Sequence, residues 1–107
     1  MNKYTELSDF EINRRIAEMD TKNRYVYFEK EQTIFRKFNN GQTQEFNPCN
    51  NPTDAMPIII ENEISMIKSS GGWMCCHGSV GQVERESLYR GAMELFLMMK
   101  DTENEKV

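Results

Sequence analysis

The chain has 107 residues and a mass of 12.6 kDa, a length that fits one domain. Its 13 basic and 17 acidic side chains give a net charge of −4, which disfavours unspecific binding to DNA or to an anionic membrane. Hydrophobic residues make up 38% of the chain, enough for a folded core, and no apolar run is long enough to predict a membrane span or a signal peptide.

The first predicted element is a helix over residues 9–20. Ser8 and Glu11 form a capping-box pattern, in which the Ser8 hydroxyl accepts a hydrogen bond from the backbone N–H of Glu11. The helix is expected to pack through one apolar stripe at helical spacing, formed by Ile12, Ile16 and Met19.

The next region, residues 24–46, changes to aromatic and β-branched runs that are typical of strands. Residues 25–28 predict one strand and residues 33–38 a second, and residues 39–42 supply the Asn and Gly of a turn. The pattern does not settle whether these two strands pair with each other. Aromatic side chains alternate here with basic ones, namely Arg24, Tyr25, Tyr27, Phe28, Lys30, Phe35, Arg36, Lys37 and Phe38.

The middle block, residues 46–62, is the most distinctive segment. Asn51 followed by Pro52 predicts an N-cap and a first helical residue, because proline lacks only a donor that is unpaired at that position. Pro57 would remove a backbone hydrogen bond from such a helix. The helix is therefore expected either to kink at Pro57 or to begin there, and the isoleucines at 58–60 are expected to be buried in both cases.

A β-hairpin is predicted next, with strands over residues 63–68 and 73–77 and a turn at residues 69–72. Residues 78–81 are expected to form a loop. The closing helix is predicted over residues 85–100, and residues 101–107 are expected to be frayed.

This closing helix has an apolar face that continues over three turns, formed by Leu88, Ala92, Leu95, Phe96 and Met99. Further apolar residues widen that face, which favours a central place in the core or a second face against another subunit. A homodimer is therefore one expected assembly. The order of elements predicts a single α+β domain over residues 1–107, with helices on one face of a small, mostly antiparallel sheet.

The cysteines and the histidine are the first candidates for chemistry. Cys75 and His77 lie two residues apart on a predicted strand, so both could reach one metal ion if folding brought in Cys49, although a fourth ligand is missing. A Cys–His nucleophile pair would need a base within hydrogen-bond reach and an oxyanion site, and no motif here supplies them. We therefore expect no metal, no cofactor and no catalytic residues, and interpret the thiols as core and strand residues.

Three blocks of the sequence, YTELSDFEIN, FNPCNNPTDAMPIIIEN and AMELFLMMKD, together resemble the NinX-like family of small phage and prophage proteins. With the spacing between the blocks, the resemblance covers nearly the whole chain. Residues 91–94 and 75–77 depart from what the family leads us to expect. The resemblance implies a phage-encoded protein made in the host bacterial cytoplasm, and it carries over no catalytic residues.

Two functions of different class follow. The favoured one is a non-enzymatic protein that binds a host or phage protein, for instance as an inhibitor of host machinery or defence. Its predicted contacts are polar residues of the middle block and one aromatic anchor, namely Asn47, Asn50, Asn51, Asp54 and Trp73. The structural alternative for the same residues is local, because Asn and Asp commonly cap helices and build turns and a Trp is often part of the core.

The second function is an accessory factor for phage replication or recombination. It would contact single-stranded nucleic acid through the aromatic and basic residues of the two predicted strands. The negative net charge makes nucleic acid the less favoured partner of the two.

Overall fold

The computed structural model describes residues 2–105, which form three helices and two three-stranded antiparallel sheets. In chain order the elements are α1 (Asp9–Met19), β1 (Arg24–Phe28), β2 (Thr33–Lys37), β3 (Thr43–Glu45), α2 (Pro52–Glu61), β4 (Ser65–Ser69), β5 (Gly72–His77), β6 (Gly81–Arg85) and α3 (Leu88–Glu105). The predicted α+β class is confirmed.

The strands divide into a first sheet, β1–β2–β3, and a second sheet, β4–β5–β6, where a single sheet was predicted. The two predicted strands of the first sheet do pair, with Tyr25 opposite Arg36. The predicted hairpin is confirmed as β4 and β5, with Lys68 opposite Trp73. The last strand of each sheet was not predicted from the sequence. β3 is wholly exposed and β6 buries only Val83.

Helix α1 confirms the prediction made from its capping box. The backbone N–H of Glu11 donates to the Ser8 hydroxyl at 3.2 Å, and Ile12 and Ile16 are buried in the core. Met19, the third residue of the predicted stripe, is 40% exposed, because the last turn of α1 lies beside an open groove.

Helix α2 begins at Pro52, and the Asn51 side chain caps it by accepting from the backbone N–H of Thr53 at 2.9 Å. It continues through Pro57, so a helix that begins only at Pro57 is wrong. The predicted burial of all three isoleucines is also wrong, because Ile60 is 68% exposed. Consecutive helical residues point about 100° apart, so a helix lying on the surface cannot bury three in a row.

Helix α3 forms the centre of the core. Every residue from Gly91 to Leu97 is buried, and the inner face of the second sheet packs on this helix through Cys75 and Val83. The helix begins at Leu88 and not at residue 85, because residues 81–85 form β6. Its apolar surplus is buried within the chain, which removes the observation that suggested a homodimer; the homodimer itself stays a prediction.

The end of α3 also differs from the prediction. Residues 101–105, which were expected to be frayed, continue the helix, and residues 106 and 107 of that expected tail lie outside the described residues. Contacts with the N-terminal segment hold this last part of the helix. The carboxylate of Asp101 accepts a hydrogen bond from the Tyr4 hydroxyl and forms a salt bridge with Lys3 at 3.1 Å.

One carboxylate lies fully buried in this core. Glu94 pairs with Arg85 of β6 at 2.8 Å and with Arg90 at 2.7 Å, and Arg90 also donates to backbone carbonyls of the N-terminal segment (residues 2–9). Burial alone would raise the pKa of Glu94, but the hydrogen bonds from the two guanidinium groups outweigh burial and hold that pKa below its ordinary value. Glu94 thus ties α3, the second sheet and the N-terminal segment together.

Candidate functional site

Most of the polar residues predicted as partner contacts form hydrogen bonds with other residues of the same chain. The Asn47 side chain accepts from Asn13 at 2.8 Å, and the backbone N–H of Asn47 donates to the Asp54 carboxylate at 2.8 Å. Asn51 caps α2. These bonds join the middle block to α1 and shape it, as the structural alternative predicts for Asn and Asp residues.

The other two predicted contacts are not brought to one surface. Asn50 is exposed, and its amide donates to Asp9 at 3.1 Å and to Asn47 at 3.0 Å. Trp73 lies in β5 of the second sheet, half-buried, with the Lys68 ammonium 5.5 Å from its ring centroid. A partner-binding role for the five residues stays a prediction, and the fold does not gather them into one site.

Part of the middle block, including the predicted contact Asp54, lines an open groove. Thr53, Asp54, Pro57 and Ile58 of α2 form one wall, and residues of α1, the first sheet and α3 form the rest. The groove has a volume of about 640 Å³, within the range of sites that hold a small ligand or a few side chains. Its remaining apolar and aromatic lining comes from Ile16, Met19, Tyr25, Phe46 and Phe96.

A guanidinium group lies among the aromatic rings of the groove. Arg36 is 5.8 Å from the Tyr25 centroid and 5.2 Å from the Phe46 centroid, and these two rings contact each other with centroids 5.0 Å apart. Among residues 2–105, the buried Nε of Arg36 has no hydrogen-bond partner. The groove therefore combines an apolar lining with a cation whose hydrogen-bonding capacity the fold does not fully use.

Asp20 and Tyr25 close one end of the groove. The Tyr25 hydroxyl donates to Asp20 at 2.5 Å, and the backbone N–H groups of Lys22 and Asn23 donate to the same carboxylate. Burial acts to raise the pKa of Asp20, but these hydrogen bonds outweigh it and lower the pKa to about 2. Burial, followed by the bond to Asp20, raises the pKa of Tyr25 to about 12. Asp20 is therefore an ionised acceptor with its oxygens engaged. The cations of the groove lining are Lys22, Arg36 and Lys100, and its other acidic residues are Asp54 and Glu61.

The cysteines and the histidine do not line the groove. Cys49 and Cys75 are buried, and burial raises the pKa of Cys75 to about 11 and that of Cys49 further. His77 contacts the Ser79 hydroxyl through Nδ1 at 2.8 Å. Within the described part of the chain, no three His, Cys, Asp or Glu side chains converge as ligands of one metal ion.

The aromatic and basic residues of the first sheet separate onto its two faces. Tyr25, Tyr27, Ile34 and Arg36 share the face that packs on the core. The outward face carries Arg24, Val26, Phe28, Thr33, Phe35 and Lys37, with Thr43 and Glu45 of β3 beside Lys37 and Phe35. The alternation along each strand already divides the residues into these two sets, but only the strand register shows which ones lie side by side.

The comparisons with known proteins give one match. The family model described as Bacteriophage P22, NinX matches residues 3–100, nearly the whole chain. No curated protein and no solved structure matches. None of the helices in residues 2–105 is long and apolar enough to cross a membrane.

Proposed function

The chain belongs to the NinX family of bacteriophage P22, and from that premise we propose an accessory phage protein that binds another protein and catalyses no reaction. The partner is a host or phage protein, and the binding takes place in the cytoplasm of the host bacterium. The contact surface is the groove between α1, α2, α3 and the first sheet, and not the amides of the middle block, whose hydrogen bonds lie within the fold.

The observation that carries this proposal is the arrangement of Arg36 in that groove. The guanidinium of Arg36 lies beside the contacting rings of Tyr25 and Phe46 and presents a planar donor next to apolar walls, which suits a carboxylate and an adjacent apolar side chain of a peptide. Lys22 adds a second cation to the lining. We therefore infer that the occupant is a segment of the partner in which an acidic residue stands beside an apolar one.

The burial of Cys49 and Cys75 argues against either of them as a cysteine nucleophile. A cysteine nucleophile reacts as its thiolate, and reactive cysteines lie in exposed, electropositive sites that lower the thiol pKa. Burial raises the pKa of Cys49 and Cys75 instead, so both remain protonated near neutral pH. They act as small apolar residues of the core.

The test is affinity capture of the tagged protein from infected host lysate, with and without nuclease, and identification by mass spectrometry. Two variants separate the groove from the rest of the surface. Met19→Glu places a negative charge in the groove lining, where Met19 is exposed, and Ile60→Glu adds the same charge to α2 outside the groove.

We expect a protein that survives nuclease, is lost with Met19→Glu and is retained with Ile60→Glu. Like charges repel the proposed acidic segment in the first variant only. Capture that disappears on nuclease treatment, or capture that both variants retain equally, would contradict the proposal.

A further inference from the structure

The outward face of the first sheet is a second surface, separate from the groove. Side chains alternate along a strand, and the register places Val26 opposite Phe35 and Phe28 opposite Thr33 on this face. Neither Val26 nor Phe35 belongs to the core cluster or to the side chains packed against it, whereas Tyr25 and Tyr27 do. The face is therefore apolar at its centre without a contribution to the core.

Two aromatic rings lie on this face in contact with each other. The centroids of Phe28 and Phe35 are 5.8 Å apart and their planes meet at 83°. Phe28 is 43% exposed. Phe35, which is half-buried, meets Phe28 edge to face, so the Phe28 ring presents part of its surface to solvent.

One end of the same face is basic. Arg24 and Lys37 are directly opposite each other in the register of β1 and β2, both are exposed, and among residues 2–105 neither forms a salt bridge. Like charges directly opposite on a sheet destabilise it. Stability therefore gives no reason for this pair, whereas an anionic ligand that binds both cations would.

The charge of the surrounding segment agrees with an anionic ligand. Residues 22–45, which build the first sheet, contain five basic and three acidic side chains, a net charge of +2 in a chain whose total is −4. Two of these basic residues, Lys22 and Arg36, line the groove. Among the strand residues of the outward face, Arg24 and Lys37 outnumber the one acidic side chain, Glu45, which lies opposite Phe35. The face is therefore net positive in a chain whose total charge is negative.

We propose that the outward face of the first sheet binds single-stranded nucleic acid. The exposed ring of Phe28 stacks with a base while Phe35 supports that ring from the side. Arg24, four residues from Phe28 along β1, and Lys37, two residues from Phe35 along β2, contact the phosphates. A double helix buries the faces of its bases, and an acidic peptide has no base that could stack on an aromatic ring. A single strand offers both exposed bases for the aromatic residues and phosphates for the basic pair. This binding is additional to the protein binding proposed for the groove and does not depend on it.

Fluorescence anisotropy with a labelled oligothymidylate of about 15 nucleotides tests the proposal. We expect Phe28→Ala to weaken binding by about 5- to 150-fold, the loss of one stacked base. The matched control is Phe38→Ala, which removes a ring of similar exposure, 39%, beyond the end of β2, and we expect its affinity to equal that of the wild type. Circular dichroism checks that both variants are folded.

A salt titration tests the basic end. Arg24→Gln and Lys37→Gln should each reduce the slope of log affinity against log salt by about 0.7, the value for one phosphate contact on a single strand. Oligouridylate measured in parallel shows whether the sugar matters, and binding of either strand supports the proposal.

Three results would overturn it. These are affinity unchanged by Phe28→Ala, equal affinity for a duplex of the same length, and equal affinity for polyglutamate, since neither competitor offers a free base. Failure here is distinguishable from failure of the groove proposal, because Met19→Glu lies outside this face and should leave oligonucleotide binding unchanged.

Discussion

The two sheets have the same architecture and different physical roles. Each consists of three consecutive antiparallel strands, but the strands of the second sheet bury Gly72, Cys75 and Val83 against the rest of the fold, whereas those of the first bury Ile34 alone. The first sheet also carries the opposed pair Arg24 and Lys37, which a sheet built for stability would avoid. The first sheet thus combines little burial with a like-charge pair that packing does not require, and that sheet is where we place binding.

The largest expected effect tests how firmly the second sheet is held. Glu94→Ala removes the buried carboxylate and leaves Arg85 and Arg90 without their partner, so we expect the free energy of unfolding to fall by about 3–5 kcal/mol in urea denaturation. Glu103→Ala is the control on the same helix, because the exposed Lys100–Glu103 pair contributes less than about 1 kcal/mol. Equal losses in the two variants would contradict the central role of Glu94.

Acid should weaken the same connection. Because the pKa of folded Glu94 lies below its ordinary value of 4.5, its ionised form adds stability that is present above about pH 4.5 and is lost as the pH falls through the folded pKa. Glu94→Gln cannot ionise and lacks this part of the pH dependence. We expect the stability difference between wild type and Glu94→Gln to shrink between pH 6 and about pH 3 in urea denaturation; a constant difference would refute this linkage.

A smaller loss of stability is expected for a substitution at Gly72, the first residue of β5. A Cβ added to Gly72 would lie 2.4 Å from the backbone oxygen of Arg85, and backbone cannot move aside as a flexible side chain can. Gly72→Ala should therefore lower the free energy of unfolding by about 1–3 kcal/mol. Gly71→Ala, whose added Cβ meets nothing within 4 Å, is the neighbouring control, and a loss of the same size there would show that the close approach is not the cause.

The smallest expected effect has the opposite sign and lies in the first sheet. Lys37→Glu turns the like-charge pair with Arg24 into an opposite-charge pair, which should raise the free energy of unfolding by about 0.2–1 kcal/mol. The same substitution should weaken oligonucleotide binding, because one phosphate contact becomes a repulsion. Thermal unfolding and anisotropy on one preparation measure both. A variant that is less stable, or that binds as well as the wild type, would remove the distinction drawn between the sheets.

The elements that depend on local chemistry were predictable from the sequence. The capping box at Ser8 and the Asn51–Pro52 start of α2 need only neighbouring residues, and both are confirmed. Strands β3 and β6 were missed because few of their side chains are buried and so no apolar alternation marks them. The division into two sheets depends on strand pairing, which is not visible in the pattern of any single segment.

The candidate surfaces were predictable only in part. Aromatic and basic residues were recognised between residues 24 and 38, but which of them lie side by side, as Arg24 and Lys37 do, depends on the strand register. The groove could not be predicted, because three helices and two strands line it. The role of Glu94 was also missed. Glu94 is the single charge within the buried run from Gly91 to Leu97. A lone carboxylate in such a run indicates a buried ion pair, because burying it without a cation is costly.

The contacts between the N-terminal segment and α3 have a consequence for how the protein is made. The Asn2 side chain donates to Glu94 and the Tyr4 hydroxyl to Asp101, across 92 and 97 positions of sequence. The ribosome synthesises Asn2 and Tyr4 long before Glu94 and Asp101. The N-terminal segment therefore cannot form these hydrogen bonds until α3 has left the ribosome. Contacts of such separation slow folding, and the completion of this core is therefore an event that follows synthesis of residues 85–101 instead of accompanying it.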